Sequence, residues 1–219
     1  MSGCGARLAA FDRERAAGGA PADESANGLL VIAGTDEAGR GCLAGPVVAA
    51  AVVLPPGWAP AALDDSKRLT ARRRAALYAE IVRGALDWQA EAAWPREIER
   101  TDILRSSLRA MATAVARLRV RPDLVLVDGN QAPPLDCPAA CLVGGDGLSA
   151  AVAAASIVAK VVRDGLMADL DARHPGYGFA GHKGYGSADH LAALRLLGPC
   201  PLHRLTFAPV AGLRQGSLW

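Results

Sequence analysis

The sequence has few of the features that would indicate a cross-linked, zinc-binding or membrane-spanning protein. Only five of its 219 residues are cysteines, an odd number with no CxxC pair and no matching pair of histidines. This spacing predicts neither a disulfide framework nor a structural zinc site. No apolar run approaches the length of a membrane span, and residues 1–27 lack the apolar segment of a secretory signal. These absences favour a protein of the reducing cytoplasm that is not associated with a membrane.

A large excess of charge is also missing. Lys and Arg total 24 against 22 Asp and Glu, which gives a formal net charge of +2. Bulk charge therefore does not indicate a nucleic-acid partner, and any electrostatic footprint must be local. Lysine occurs only three times, at Lys67, Lys160 and Lys183. At this length the chain can form one domain with a sizeable core.

The sequence does contain two apolar runs, residues 29–33 and 46–54, separated by a stretch rich in glycine. The runs predict neighbouring strands, and the adjacent carboxylates Asp36 and Glu37 come at the end of the first one. A buried sheet favours apolar side chains at such positions. The two acids therefore indicate a functional site.

Glycines surround an arginine directly after this acidic pair. Gly39, Gly41 and Gly45 allow the backbone to approach a ligand closely, and Arg40 suits a phosphate oxygen. The stretch predicts a metal-binding carboxylate pair beside a backbone clamp for a phosphodiester chain.

The remaining chain alternates strand-like and helix-like patterns. Apolar periodicity predicts further strands at 86–94, 124–127 and 140–143, and helices at 71–86, 101–118, 148–170 and 187–197. Residues 1–27 show no sustained period and predict a flexible N-terminal extension. We expect one α/β domain over residues 28–219, whose last part, from about residue 170, is a loop-rich and helical segment.

Three predicted strands each end in acid, and acids from separate strands can share one site because ligands gather at strand ends in open α/β sheets. The acids are Asp36 with Glu37, Asp128 and Asp146. Crowded carboxylates repel unless divalent cations compensate, and oxygen ligands select Mg²⁺ or Mn²⁺. Two such ions roughly 3.5–4 Å apart can bracket a phosphodiester, one activating water and one stabilising the leaving oxygen.

Each of these acids has an alternative interpretation as a turn former, since Asp before Gly is a strong turn signal. Asp164 competes with Asp146 for the fourth position. We rank it lower because a helical acid beside Arg163 is better explained as a surface ion-pair partner.

Five motifs together closely resemble bacterial ribonuclease HII, and they follow in order from about residue 29 to about residue 209. They are TDEAGRG at 35–41, DDSKRLT at 64–70, VDGN at 127–130, GGDGLSAAVAAASIVAKVVRD at 144–164 and GFAGHKGYGSADH at 178–190. The resemblance implies a ribonuclease H-like fold, a mixed five-stranded sheet flanked by helices with a C-terminal helical extension.

The resemblance also implies an activity. Such an endonuclease cuts the RNA strand of RNA:DNA hybrids and cuts 5′ to ribonucleotides embedded in duplex DNA, leaving 3′-hydroxyl and 5′-phosphate ends. Asp36, Glu37, Asp128 and Asp146 match the metal-binding acids of the family. We expect a monomer; a sliding-clamp contact is conceivable, but no residue of the sequence supports it.

Substrate contacts are implied at two of the motifs. Gly39, Arg40 and Gly41 match the element whose backbone contacts the 2′-hydroxyl at the RNA-to-DNA junction, the group that distinguishes RNA from DNA. Tyr185 matches the tyrosine that packs on the following sugar, although a loop-packing role is the alternative. Lys183 lies in the same motif, and we assign it to the substrate as well.

Further residues have less specific signals. Ser66 and Lys67 precede a predicted helix N-terminus and are expected to contact phosphate, with a solvated surface as the alternative. His203 and Arg204 are expected to pack the C-terminal segment toward the site. Cys42 has no adjacent base, so it reads as a small buried residue.

Two rival functions stay open at this point. A different nuclease of the same fold would share the acids but lack the 2′-hydroxyl clamp. A non-catalytic nucleic-acid-binding module is disfavoured by the presence of all four acids. A nucleotide hydrolase is disfavoured because HKGYG contains no GxxxxGK[ST] phosphate loop.

Overall fold

A single mixed sheet organises the part of the chain that the structure, a computed structural model, describes: residues 4–18, 29–63 and 69–215. The strand order is β3-β2-β1-β4-β5. Strands β1 and β2 are antiparallel, as are β2 and β3, whereas β4 is parallel to both β1 and β5. The strands are β1 (Ile32–Ala38), β2 (Val47–Val53), β3 (Asp87–Ala93), β4 (Leu124–Asp128) and β5 (Ala139–Leu142). The prediction of a mixed five-stranded sheet is confirmed.

Eight helices accompany the sheet in the described residues. They are α1 (Cys4–Gly18), α2 (Ala71–Gly84), α3 (Pro95–Arg100), α4 (Ile103–Ala116), α5 (Ala150–Arg173), α6 (Phe179–His182), α7 (Ala188–Leu197) and α8 (Ala208–Gln215). The predicted start of α2 at residue 71 is accurate, and Thr70 caps it by accepting from the amide of Arg73. Helix α4 begins two residues later than predicted, because Asp102 is its N-cap and accepts from the amide of Arg105. The sequence patterns did not predict α3, α6 and α8, whose six, four and eight residues are too short for a clear period.

Strand β2 is buried along its whole length because helices cover both faces of the sheet. Successive side chains of a strand point to opposite faces. Val47 and Ala49 accordingly pack with α4, whereas Ala50 and Val52 pack with α5 and α2. An unbroken apolar run is what a strand buried on both sides requires.

A very close contact between layers joins β1 to the first turn of α5. A Cβ atom added at Gly34 would lie 2.1 Å from the backbone carbon of Ala151, so only glycine permits this approach. The run of alanines in α5 continues the same packing, with Ala150 to Ala155 all buried.

Residues 4–18 correct one prediction, because they form the helix α1 and not a flexible extension. Leu8 is fully buried in the core cluster between β2 and α5, and Asp12 Oδ2 accepts a hydrogen bond of 2.9 Å from the amide of Ala151. The sequence pattern concealed this helix because only Leu8 and Phe11 are large apolar residues at helical spacing. The rest of residues 1–27 lies outside the described residues.

A hydrogen-bonded chain through His190 and His203 joins α7 to the segments on either side of it. The amide of Cys200 donates to His203 Nδ1 at 3.0 Å, and the two Nε2 atoms of His203 and His190 lie 3.1 Å apart. His190 Nδ1 lies 2.8 Å from the carbonyl of Tyr185, to which it must donate. His203 Nδ1 accepts and His190 Nδ1 donates, so His203 Nε2 must donate to His190 Nε2. All three hydrogen bonds therefore form only when both imidazoles are neutral. In this way the chain ties the loop before α7 to the segment after it.

No helix among the described residues is both long and apolar enough to cross a membrane.

The burial of α1 predicts that Leu8→Ala lowers the free energy of unfolding by roughly 2–5 kcal/mol, since it leaves a cavity in the core. The matched control is Leu196→Ala in α7, where the side chain is 83% exposed and the expected change is within about 0.5 kcal/mol. Urea denaturation of both variants measures this. Equal small effects would contradict the packing of α1.

The histidine chain predicts a loss of stability in acid. Burial, with repulsion from His190, lowers the pKa of His203 from 6.5 to about 4. Below pH 6.5 the unfolded chain therefore binds a proton that the folded chain takes up only near pH 4, and this costs up to roughly 3 kcal/mol of stability.

The comparison with His203→Gln isolates this effect, because other groups titrate in the same range. Between pH 7 and pH 4.5 the wild-type protein should lose more free energy of unfolding than the variant does. Parallel pH dependences of the two proteins would contradict the prediction.

Candidate active site

Three acids meet at one edge of the sheet. Asp36 and Glu37 lie in β1, and Asp128 is the last residue of β4. Because β1 and β4 are parallel neighbours, their carboxyl ends lie side by side. The acidic pair is inside β1 and not beyond its end, with Asp36 opposite Ala50 and Glu37 opposite Ala49 of β2. Their side chains therefore leave the sheet on opposite faces.

Asp146 lies in a short 3₁₀ turn, Gly145–Gly147, that follows β5. The amide of Gly145 donates to Asp128 Oδ1 at 2.7 Å, which holds this turn against the end of β4. Asp146 is itself buried. The fourth acid is thus carried next to the third by a backbone hydrogen bond.

The acids perturb one another. Burial, followed by the charges of Glu37 and Asp128, raises the pKa of Asp36 from 3.8 to about 8, although hydrogen bonds from the Ser156 side chain and the Glu37 amide oppose the rise. Burial also raises the pKa of Glu37, against the effect of Arg40, whose Nη1 lies 3.1 Å from Glu37 Oε1. A site that keeps Asp36 ionised at neutral pH needs positive charge nearby.

The donor set fits a hard divalent cation. It consists of carboxylate oxygens alone, and their mutual repulsion is the kind of energy that such a cation offsets. Among the residues that the structure describes, no group of three or more His, Cys, Asp or Glu side chains is already arranged to hold a metal ion. The carboxylate oxygens nevertheless have the chemistry that such a cation requires.

Two clefts open on either side of Glu37. One has a volume of about 190 Å³ and is lined by Asp36, Glu37, Ala38, Gly39, Arg74, Ser156, Lys160 and Tyr185. The other lies against α4 and is lined by residues that include Arg40, Asp128 and Asn130. The acids therefore stand between a cleft with the tyrosine and a cleft with the end of β4.

Residues 39–45, which follow β1, form a loop that we call the glycine loop. Its glycines differ in how strictly the backbone requires the absence of a side chain. Gly39 has a φ of 94°, and a Cβ atom there would lie 1.9 Å from Arg163 Nε, so the fold itself requires glycine. Gly41 has nothing within 4 Å of an added Cβ atom. The fold does not explain glycine at position 41, which faces open space beside the acids.

Tyr185 and Lys183 do not share one location. Tyr185 is 43% exposed at the wall of the larger cleft, with Lys160 Nζ 5.4 Å from its ring centroid. Lys183 turns away, and its ammonium donates to the carbonyl of Ala180 at 2.6 Å. Ser66 and Lys67 lie outside the described residues.

The helix α5 contributes residues that the sequence patterns did not assign to the site. Ser156 and Lys160 line the larger cleft one helical turn apart, and Arg74 joins them from α2. The signal was available, because Ser156, Lys160 and Arg163 recur at helical spacing in a helix otherwise made of small apolar residues.

Asp164 forms the ion pair expected of it with a neighbour on the helix. Its carboxylate pairs with Lys160 Nζ at 2.7 Å and with Arg74 Nη1 at 3.9 Å. Arg163, the other candidate partner, is fully buried and binds the carbonyls of Ala44, Pro46 and Lys183. The interpretation of Asp164 as an ion-pair partner is confirmed, with Lys160 in place of Arg163.

The prediction for Arg204 and Cys42 is confirmed. Arg204 Nη1 donates to the carbonyl of Arg40 at 2.7 Å, which joins the C-terminal segment to the glycine loop. Cys42 is completely buried, and burial raises the pKa of its thiol, so a nucleophilic thiolate is disfavoured.

Comparison with known proteins identifies the family. The family model described as Ribonuclease HII matches residues 33–210. Ribonuclease HII from Azorhizobium caulinodans is 56% identical over 200 residues, which are 91% of this chain and 74% of that protein. Ribonucleases HII of this family are metal-dependent endoribonucleases that act on RNA:DNA hybrids.

Solved structures agree on the fold. The ribonuclease H2 from Pyrococcus horikoshii has a TM-score of 0.71 at 24% identity, with 84% of this chain and 97% of that chain covered. The ribonuclease HII in a complex with PCNA from Archaeoglobus fulgidus has a TM-score of 0.68 at 25% identity, with 81% and 95% covered. On the family match and the identity over most of its length, this chain belongs to the ribonuclease HII family and is a metal-dependent endoribonuclease.

Proposed function

We propose that the enzyme cuts the RNA strand of RNA:DNA hybrids and also cuts 5′ to single ribonucleotides embedded in duplex DNA, leaving 3′-hydroxyl and 5′-phosphate ends. The observation that supports this most directly is the open position at Gly41, in the loop that follows the β1 strand of Asp36 and Glu37. A backbone surface without a side chain beside a phosphodiester-cleaving centre suits the recognition of a ribose hydroxyl.

Asp36, Glu37, Asp128 and Asp146 would hold Mg²⁺ or Mn²⁺ in this proposal. When bound, two such ions promote in-line attack of water on phosphorus and stabilise the departing 3′ oxygen. The protein residues supply the positions and the charges. Arg40, paired with Glu37, lies where a guanidinium can also meet a phosphate oxygen.

Recognition of the junction would divide between two surfaces. The backbone of Gly39, Arg40 and Gly41 contacts the 2′-hydroxyl of the ribonucleotide. Tyr185, held at the wall of the larger cleft, packs on the next sugar and favours one that lacks a 2′-hydroxyl. Lys183 would reach the substrate only after leaving the carbonyl of Ala180. Ser66 and Lys67 remain proposed phosphate contacts.

The enzyme is further proposed to be monomeric and to act in the cytoplasm. The ribonuclease HII from Archaeoglobus fulgidus forms a complex with PCNA, but no residue of this sequence indicates a sliding-clamp contact.

The proposal predicts that Asp36→Asn and Asp128→Asn each reduce cleavage at least roughly 100-fold while the protein stays folded, because each removes charge from the reacting centre. Cleavage is measured on a DNA duplex that carries one ribonucleotide, with Mg²⁺ and with Mn²⁺, and the ends of the products are mapped. Chelation of the metal should abolish cleavage by the wild-type enzyme.

An all-DNA duplex is the matched substrate control. Cleavage of both duplexes would favour a less specific nuclease, and cleavage of neither, on any metal, would revive the binding-module alternative. Full activity of either variant would overturn the assignment of the acids.

The glycine loop predicts different outcomes at two neighbouring positions. Gly41→Ala should leave the thermal midpoint within about 2 °C of wild type but weaken binding of the one-ribonucleotide duplex at least tenfold, since the new methyl group meets only the ligand. Gly39→Ala should destabilise the protein, because it meets Arg163 and requires a positive φ. Normal binding by Gly41→Ala would argue against backbone recognition at this loop.

A further inference from the structure

The glycine loop turns its carbonyl groups inward onto one buried guanidinium. Arg204 is fully buried, and its Nη1 and Nη2 atoms donate to the carbonyls of Arg40 and Gly39 at 2.7 and 2.8 Å. The carbonyl of Gly45 accepts from Nη2 at 2.9 Å and from Nε at 3.1 Å. The two ends of the loop are thus gathered around one rigid fork of donors.

This arrangement determines where the amide groups of the loop point. In a planar trans peptide the C=O of one residue and the N–H of the next lie on opposite sides. With the carbonyls of Gly39 and Arg40 directed at Arg204, the amides of Arg40 and Gly41 point away from it. Both of these residues are exposed. Within the described chain, neither amide donates a hydrogen bond.

A second buried arginine, Arg163, also holds carbonyl groups near the loop and adds to the positive charge there. Arg163 is also fully buried and binds carbonyls of Ala44 and Pro46. No carboxylate forms an ion pair with Arg163 or Arg204 among the residues that the structure describes. A peptide whose carbonyl binds a cation becomes a stronger N–H donor, because hydrogen bonds in a chain polarise one another.

We propose that Arg204 is a positioning residue for substrate discrimination. It orients the peptides of the glycine loop so that the amides of Arg40 and Gly41 form a pair of donors for the ribose 2′-hydroxyl. The inference rests on the proposed function, because it assigns a cause to the recognition of that hydroxyl. Arg204 touches neither the acids nor the substrate in this account.

The test compares two binding affinities in each protein. Dissociation constants are measured in metal-free buffer for the duplex with one ribonucleotide and for the all-DNA duplex, and the discrimination is their ratio. Arg204→Lys keeps the charge but cannot bind three carbonyls in the geometry of the fork. We expect it to reduce the ratio about tenfold, the equivalent of one to two hydrogen bonds.

Two controls separate positioning from general stability. Ile81→Ala destabilises the core at α2, far from the loop, and should leave the ratio unchanged. A purely structural Arg204 would make Arg204→Lys behave in the same way, with both affinities falling together and the ratio preserved. That result in a folded variant would overturn the proposal.

The orientation of the two amides can also be tested on the wild-type protein, without any substitution. Hydrogen exchange of the free protein should show rapid exchange at the amides of Arg40 and Gly41, and the one-ribonucleotide duplex should slow both. Slow exchange in the free protein would contradict the outward orientation. Failure of the wild-type protein to prefer the ribonucleotide duplex would instead count against the proposed function itself.

Discussion

The candidate active site depends on hydrogen bonds from two buried arginines to the carbonyl groups of the glycine loop. The segment between β1 and β2 is neither strand nor helix, so its carbonyls have no regular partners and need donors from elsewhere. Arg163 from α5 and Arg204 from the C-terminal segment supply them. The carbonyl of Lys183 also binds Arg163, which draws the loop of Tyr185 to the same place. Three parts of the chain that are distant in sequence are joined by two guanidinium groups.

The acids at the same edge of the sheet require positive charge nearby if they are to be ionised together. Asp36 is buried beside Glu37 and Asp128, and its pKa rises to about 8. At that pKa the Asp36 carboxyl is largely protonated at neutral pH, so a cation that binds there would displace its proton. The buried arginines cannot meet this demand, because their donors are occupied by carbonyls. In the proposed function, metal ions bound to the acids would supply that positive charge.

Local patterns in the sequence were sufficient to predict the five strands and the helices α2, α4, α5 and α7. The unbroken apolar run of β2 and the caps at Thr70 and Asp102 depend on neighbours in sequence. The features that the sequence patterns did not predict depend on contacts between residues distant in sequence. Helix α1 is stabilised by burial of Leu8 and by the hydrogen bond that the amide of Ala151 donates to Asp12, neither of which leaves a periodic signal. Arg74, the second partner of Asp164, could not be predicted for the same reason, since it belongs to α2.

The contact of Gly34 with Ala151 has a consequence for how the enzyme tolerates change. Helix α5 runs from this contact to Arg163, twelve residues or roughly 18 Å along its axis, and it behaves as a stiff rod over that length. One end is seated directly on backbone and the other end carries the guanidinium against Gly39. A larger side chain at residue 34 would push the start of this helical segment away from β1 and would tilt Arg163 away from the glycine loop. A change of volume in the core at residue 34 would therefore alter the loop that is proposed to recognise the substrate.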